Sequence, residues 1–138
     1  MPRLLTKIAP TYDELSTASS TGISSGTILD MSGYEGVLFF GWVDVTATAN
    51  RLIGKIGTAT DAMDTATGAF VEFTATQAAL DLYRPPHRYV QANIRTSGAS
   101  AKRKGVLALQ YGARALPTSA TAWVTKLVAT PATGAATA

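Results

Sequence analysis

At 138 residues, 46% apolar and 15% charged, the chain has the length of one domain and enough apolar content for a real core. That balance excludes an intrinsically disordered middle, and the low charge implies that part of the surface is covered by a partner. A net charge of +3 is too mild to announce nucleic-acid binding, and the lack of cysteine excludes a disulfide framework or a thiolate metal site.

Arg3 and Lys7 precede no long apolar run, so no signal peptide is expected. Leu4, Leu5 and Ile8 fit a short strand. Pro10 and the tract from Ser16 to Thr21 then read as loop, and residues 1–26 as an N-terminal arm. Thr27 to Asp30 starts the strand signals, and Gly33 to Gly36 supplies a turn. Val37 to Val45 is the strongest strand in the sequence, and far too short to span a bilayer. It is apolar on both faces, with Val37 and Phe39 on one and Leu38, Phe40 and Trp42 on the other, which predicts a central strand covered on both sides. Leu52, Gly54 and Ile56 alternate with Arg51, Ile53 and Lys55 as a half-exposed strand. Residues 58–69 read as a loop, followed by short strands from Phe70 to Ala75 and Ala79 to Tyr83.

Residues 81–95 carry the densest information. Leu80 and Leu82 share one side of an extended segment, Asp81 and Tyr83 the other. Pro85 and Pro86 remove two backbone donors and push Arg84 out of the α region, making a stiff corner. Beyond it, Val90, Ala92 and Ile94 face one way while Tyr89, Gln91, Asn93 and Arg95 face the other. Tyr89 to Arg95 and Val106 to Gly112 read as an antiparallel hairpin whose loop, Thr96 to Gly105, carries Lys102, Arg103 and Lys104 at its tip. An Ala/Thr-rich C-terminal arm, residues 118–138, holds an apolar island of Trp123, Val124, Leu127 and Val128, too small to fold alone. About seven short strands and no long helix predict an all-β, antiparallel two-sheet sandwich, jelly-roll-like, spanning 27–117 between extended arms.

The sequence holds no catalytic constellation. His87, the single histidine, lies between Pro86 and Arg88 with no carboxylate to orient it, and reads as a corner residue. Asp61 and Asp64 lack a glycine-centred calcium loop and read as a polar turn. Gly54-Lys55-Ile56-Gly57-Thr58 lacks the spacing of a phosphate loop, and no serine sits in a nucleophile elbow. No metal, cofactor or enzymatic activity is therefore expected. Lys102 to Lys104 reads as a solvated turn that blocks strand aggregation rather than as a nucleic-acid contact. Tyr83, Arg84, Arg88, Tyr89 and Arg95 are either interface anchors or parts of a structural corner. Trp123, Leu127 and Val128 read as docking onto a neighbour.

Three blocks in order carry a family resemblance: Asp30 to Val37, Asp81 to Pro85 with Arg88 to Val90, and Gly105 to Arg114 with Pro117. Together they resemble the small capsid cement, or head decoration, proteins of tailed bacteriophages over about residues 27–117. The double proline with His87 and the long Ala/Thr tail depart from that pattern and leave open how the chain meets a shell. The resemblance implies a jelly-roll-like sandwich on the outer surface of a virion, made in the host cytoplasm. Its partners would be a separate major capsid protein and its own copies, as dimers or trimers at capsid symmetry axes, with neither nucleic acid nor membrane involved. The interface residues expected on this reading are Tyr83, Arg84, Pro85, Pro86, Arg88, Tyr89, Arg95, Trp123, Leu127 and Val128. The alternative is a lectin-like module recognising host glycans, for which only Tyr89, Gln91 and Asn93 approach the needed chemistry.

Overall fold

The computed structural model describes residues 8–16 and 18–113, except for the side chains of residues 64–67. Eight strands account for its regular structure: β1 Ala9–Glu14, β2 Ser20–Asp30, β3 Gly36–Val43, β4 Arg51–Gly57, β5 Met63–Glu72, β6 Gln77–Tyr83, β7 Tyr89–Ala101 and β8 Arg103–Tyr111. They form two four-stranded antiparallel sheets, ordered β1-β8-β3-β6 (sheet A) and β2-β7-β4-β5 (sheet B). The pairs β1·β8, β2·β7, β3·β6 and β4·β5 amount to one long antiparallel ribbon rolled on itself, which is the jelly-roll winding. The expected all-β two-sheet sandwich is the fold observed.

The core lies between the sheets and follows the period of two. Val37, Phe39 and Val43 of β3 meet Leu52 and Ile56 of β4 and Val90, Ala92 and Ile94 of β7, with Phe73 and Val106 completing the layer. Leu82 is buried and Leu80 packs against the same cluster, while Asp81 and Tyr83 point outward, as their alternation requires. At one edge, Asp13 of β1 ties the sheets together. Its carboxylate accepts from the Thr27 backbone N–H at 2.8 Å and from the Thr27 hydroxyl at 2.6 Å, beside the register shift between Ser25 and Ile28.

Several elements differ from the sequence expectation. β1 and the first half of β2 lie in the segment read as an arm, because pairing with β8 and β7 overrides the poor intrinsic strand preference of Ser and Gly. β5 begins at Met63, inside a segment expected as loop, where pairing with Gly57 and Ile56 likewise supplies the order. Residues 1–7 and 114–138, including Trp123, Leu127 and Val128, lie outside the described residues.

The expected hairpin of β7 with β8 is not formed. β7 pairs with β2 and β4, whereas β8 pairs with β1 and β3, so the chain crosses from sheet B to sheet A at Lys102. The Lys102 backbone N–H donates to Asp44 Oδ1 at 2.6 Å and holds that crossing. Lys102 and Lys104 are exposed, but Arg103 is buried. A register shift between Trp42 and Val43 places Arg103 opposite inward-facing Val43, so the bulge turns its side chain to the interior. There its guanidinium donates to Ser24 Oγ at 2.7 Å, Thr96 Oγ1 at 2.6 Å, Ser20 O at 2.9 Å and Ser20 Oγ at 3.0 Å. A charge taken from water is tolerated because four fixed oxygens solvate it.

Arg103 thus joins β2, β7 and β8 at one end of the sandwich. Replacing it by alanine leaves a cavity and removes four hydrogen bonds, leaving Thr96 Oγ1 bonded only to the Ser20 carbonyl at 2.7 Å, at a cost of about 2–4 kcal/mol. Lys102→Ala and Lys104→Ala are expected to stay within about 0.5 kcal/mol of the parent. Urea midpoints of the three variants check this; equal midpoints would contradict the clamp.

Candidate functional site

The β2–β3 connection, the β6–β7 corner and the end of β8 meet at one end of the molecule. Arg88 clasps Asp30 with two parallel bonds, Nε to Oδ1 at 2.9 Å and Nη2 to Oδ2 at 2.8 Å, and the Arg88 carbonyl accepts from Met31 N–H at 2.7 Å. Gln110 of β8 donates to the Asp30 carbonyl at 2.9 Å. Glu35 N–H donates to the Tyr111 carbonyl at 3.0 Å, and Arg84 N–H to the Glu35 carbonyl at 2.8 Å. All three sequence blocks that carry the family resemblance therefore converge on a single knot.

Tyr111 reaches across the outer face of sheet A from β8 to β6, where its hydroxyl donates to Asp81 Oδ1 at 2.6 Å. It passes over Gly36 of β3, and a Cβ there would collide with the phenol ring, so this crossing needs glycine. Desolvation, followed by the bond to Asp81, pushes the Tyr111 phenol up to about 12. The hydrogen bonds from Arg88 hold the Asp30 carboxyl below its usual range, helped by the Ser32 N–H at 2.9 Å and opposed by slight desolvation.

Between these segments lies a cleft of about 690 Å³ lined by Met31, Tyr34, Glu35, Arg84, Pro85 and His87, among others. Arg84 has φ +49°, a left-handed conformation rather than the extended one expected before proline. Its guanidinium lies 5.2 Å from the centroid of the Tyr83 ring, and Tyr83 is 58% exposed. Tyr83 and Arg84 are thus displayed outward. Arg88, by contrast, is consumed by Asp30, with its guanidinium carbon 5.4 Å from the centroid of Tyr89. Pro85 and His87 are half-buried in the cleft wall, and Pro86 is exposed.

Arg95 lies apart, exposed on the outer face of sheet B. That face is mixed, with Ile53, Phe70 and Ile23 set among its charged and polar residues. Arg51 sits 4.2 Å over the Phe70 ring and 3.5 Å from Glu72 Oε1, with Lys55 and Gln91 on the same side. Half-buried Gln91 donates to the Gly26 carbonyl at 2.8 Å, and Asn93 is buried, so neither of these two residues of the considered sugar-binding set is freely presented to solvent.

Sheet A carries a continuous apolar strip along β3 and β8 outside. Leu38, Phe40 and Trp42 of β3 align with Leu109, Leu107 and Gly105 of β8, and Pro10 and Tyr12 of β1 extend the row. Ala79 of β6 stands beside Phe40. The leucines, Phe40 and Trp42 are half-buried, and Tyr12 is 44% exposed. The sequence alone did not reveal this surface as a site, although the two-sided apolar pattern of β3 was its signal. Among the described residues, no group of three or more His, Asp or Glu is placed to hold a metal ion. Comparison with family models, curated proteins and solved structures gives no match to this chain.

The signs of the two shifts fix the pH response. Tyr111 is raised in the fold, so its stabilisation is present below about pH 10, the value of a free phenol, and is lost as pH climbs towards about 12. Asp30 is lowered, so its contribution is present above about pH 4 and fades as pH falls through its folded value. Tyr111→Phe is therefore expected to flatten the alkaline limb of a stability profile, and Asp30→Asn the acid limb. Thermal midpoints across pH measure both; profiles parallel to the parent would refute the assignments.

Proposed function

We propose that this chain is an adhesive structural protein, a cement bound to the outside of a tailed-phage capsid and bridging neighbouring copies of a major capsid protein. The observation that carries the reading is the unbroken apolar strip of Leu38, Phe40, Trp42, Leu107 and Leu109 on the outside of sheet A, where sheet B intersperses apolar residues with charges. A contiguous apolar surface on a sandwich that already has a core is a surface to be covered by protein. It adjoins Tyr83 and Arg84, residue types suited to anchoring an interface. The convergence of the three resemblance blocks on the knot beneath those two residues supports the same reading.

A cement works by preferring one state of its support. Each bound copy stabilises the mature shell only by the difference between its affinities for the mature and immature lattices. Repetition over the shell turns modest contacts into resistance to internal pressure. Self-association at symmetry axes, with the arms reaching to neighbours, fits this role.

The test is quantitative mass spectrometry of purified particles of the phage encoding the chain. Copy number approaching that of the shell subunit is expected, whereas a scarce copy number would refute a cement role. Replacing both Tyr83 and Arg84 by serine should lower occupancy on isolated shells about tenfold or more, with an unchanged far-ultraviolet spectrum. Full occupancy by that variant would remove the corner from the interface.

A further inference from the structure

A sheet edge is a row of unpaired backbone groups, ready to pair with another strand unless something interrupts it. Among the described residues, β1 and β6 are the edges of sheet A, and β2 and β5 those of sheet B. β1 carries Pro10 and the charges Asp13 and Glu14. The β2 ladder shifts register between Ser20 and Gly22 and again between Ser25 and Ile28, and the β5 ladder shifts opposite Gly54 and Ile56. β6 has none of these protections: Gln77 to Tyr83 keeps one unbroken register against β3, without proline or glycine and with a single charge, Asp81. We infer that β6 is a self-association edge, pairing antiparallel with β6 of a second copy so that two A sheets join into one of eight strands. The inference concerns the free protein and does not rest on the capsid reading.

Hydrogen bonds at the two ends of β6 fix which of its groups are free. Val43 N–H donates to the Thr76 carbonyl at 2.9 Å, and Arg84 N–H to the Glu35 carbonyl at 2.8 Å. Alternate residues of an antiparallel ladder turn their groups to the same neighbour, so Ala78, Leu80 and Leu82 bond β3 as Thr76 and Arg84 do. Gln77, Ala79, Asp81 and Tyr83 therefore direct N–H and C=O away from β3, where no described strand pairs with them. Two such edges join antiparallel only by pairing these residues with one another. Full overlap sets Gln77 against Tyr83 and Ala79 against Asp81 of the second copy, about a two-fold axis at Leu80. Sliding by two residues in either direction gives up one pair, and one of those registers opposes Asp81 to its own copy.

The side chains favour the same register. All four edge residues are exposed on the outer face of sheet A, Tyr83 at 58%. Phe40 and Trp42 stand beside Ala79 and Gln77, with ring centroids 6.5 Å apart, and these four residues with Gly41 and Ala78 line a hollow of about 230 Å³. Tyr83 of the second copy, opposite Gln77, arrives at the mouth of this hollow, and the two-fold axis serves both hollows at once. One contact thus accounts for an exposed ring, an aromatic hollow and an unprotected edge. Arg84, with φ +49°, turns the chain off the strand line directly after Tyr83, so the corner does not prolong the ladder.

Ala79 is the residue to vary, because its N–H faces the free edge and its side chain is exposed. Sedimentation equilibrium of the full-length protein should give twice the chain mass. Ala79→Pro removes an edge donor without touching the β3 ladder, and should raise the dimer dissociation constant about a hundredfold with an unchanged far-ultraviolet spectrum. A charge pair at the same position decides the matter even where proline unfolds the strand. Ala79→Asp sets a carboxylate against Asp81 of the second copy, twice by symmetry, and should weaken the dimer about tenfold, whereas Ala79→Lys should stay within about threefold of the parent. A parent protein that stays monomeric up to its solubility limit would overturn the inference and leave the edge to a different chain. Equal association by the parent, the aspartate variant and the lysine variant, or a folded Ala79→Pro that dimerises as tightly as the parent, would overturn it by placing the contact elsewhere.

Discussion

A sheet has two faces, and a sandwich buries only one of each. β3 is apolar on both: Val37, Phe39 and Val43 fill the core, while Leu38, Phe40 and Trp42 stand on the far side with Leu107 and Leu109 of β8 beside them. Packing against sheet B satisfies the first set and leaves the second without a layer of its own among the described residues. The outside of sheet B shows what a water-facing sheet in this protein looks like, with Arg51 paired to Glu72 and stacked over Phe70. The two exteriors differ in arrangement, with charges interspersed among Ile23, Ile53 and Phe70 on one and an unbroken apolar strip on the other.

The end knot gives that side a fixed frame. Arg88 with Asp30, Gln110 with the Asp30 carbonyl, and Tyr111 with Asp81 join elements far apart in sequence, and each bond restrains a different strand end. Arg88 therefore belongs to the structure. The exposed contact chemistry at the same corner is left to Tyr83 and to Arg84, whose left-handed backbone donates its N–H to the Glu35 carbonyl. Holding an exposed arginine and tyrosine on a rigid corner lowers the entropy lost when they are immobilised in an interface.

What was legible in the sequence was local. Alternation gave the correct faces of β6 and β7, and the Pro-Pro corner marked the passage between them, because a period of two survives any tertiary arrangement. The pairing of β7 with β8 was misread because adjacency in sequence favours a hairpin, whereas the rolled ribbon sends successive strands other than β4 and β5 to opposite sheets. Arg103 was placed on a solvated tip for a related reason: a single bulge reverses its direction, and one inserted residue leaves no trace in composition. The start of β5 was hidden in a polar Ala/Thr tract that becomes a strand through pairing with β4 rather than through its own preference. The site itself was half legible. Tyr83 and Arg84 were named from composition, but the outer face of sheet A is assembled from β1, β3, β6 and β8, which no local window contains.

The size of that face sets how it can be used. The apolar residues of that face are already half-buried, so only part of their surface remains to gain about 25 cal/mol per Å² when covered. Free association in solution costs an estimated 4–15 kcal/mol in lost translation and rotation, so an untethered partner would hold this face only weakly. A neighbour held at high local density on a shell avoids most of that cost. The same modest surface is thus held more firmly by a neighbour already at high local density than by a partner met in dilute solution. Weak alone and strong in arrays is the behaviour a cement requires.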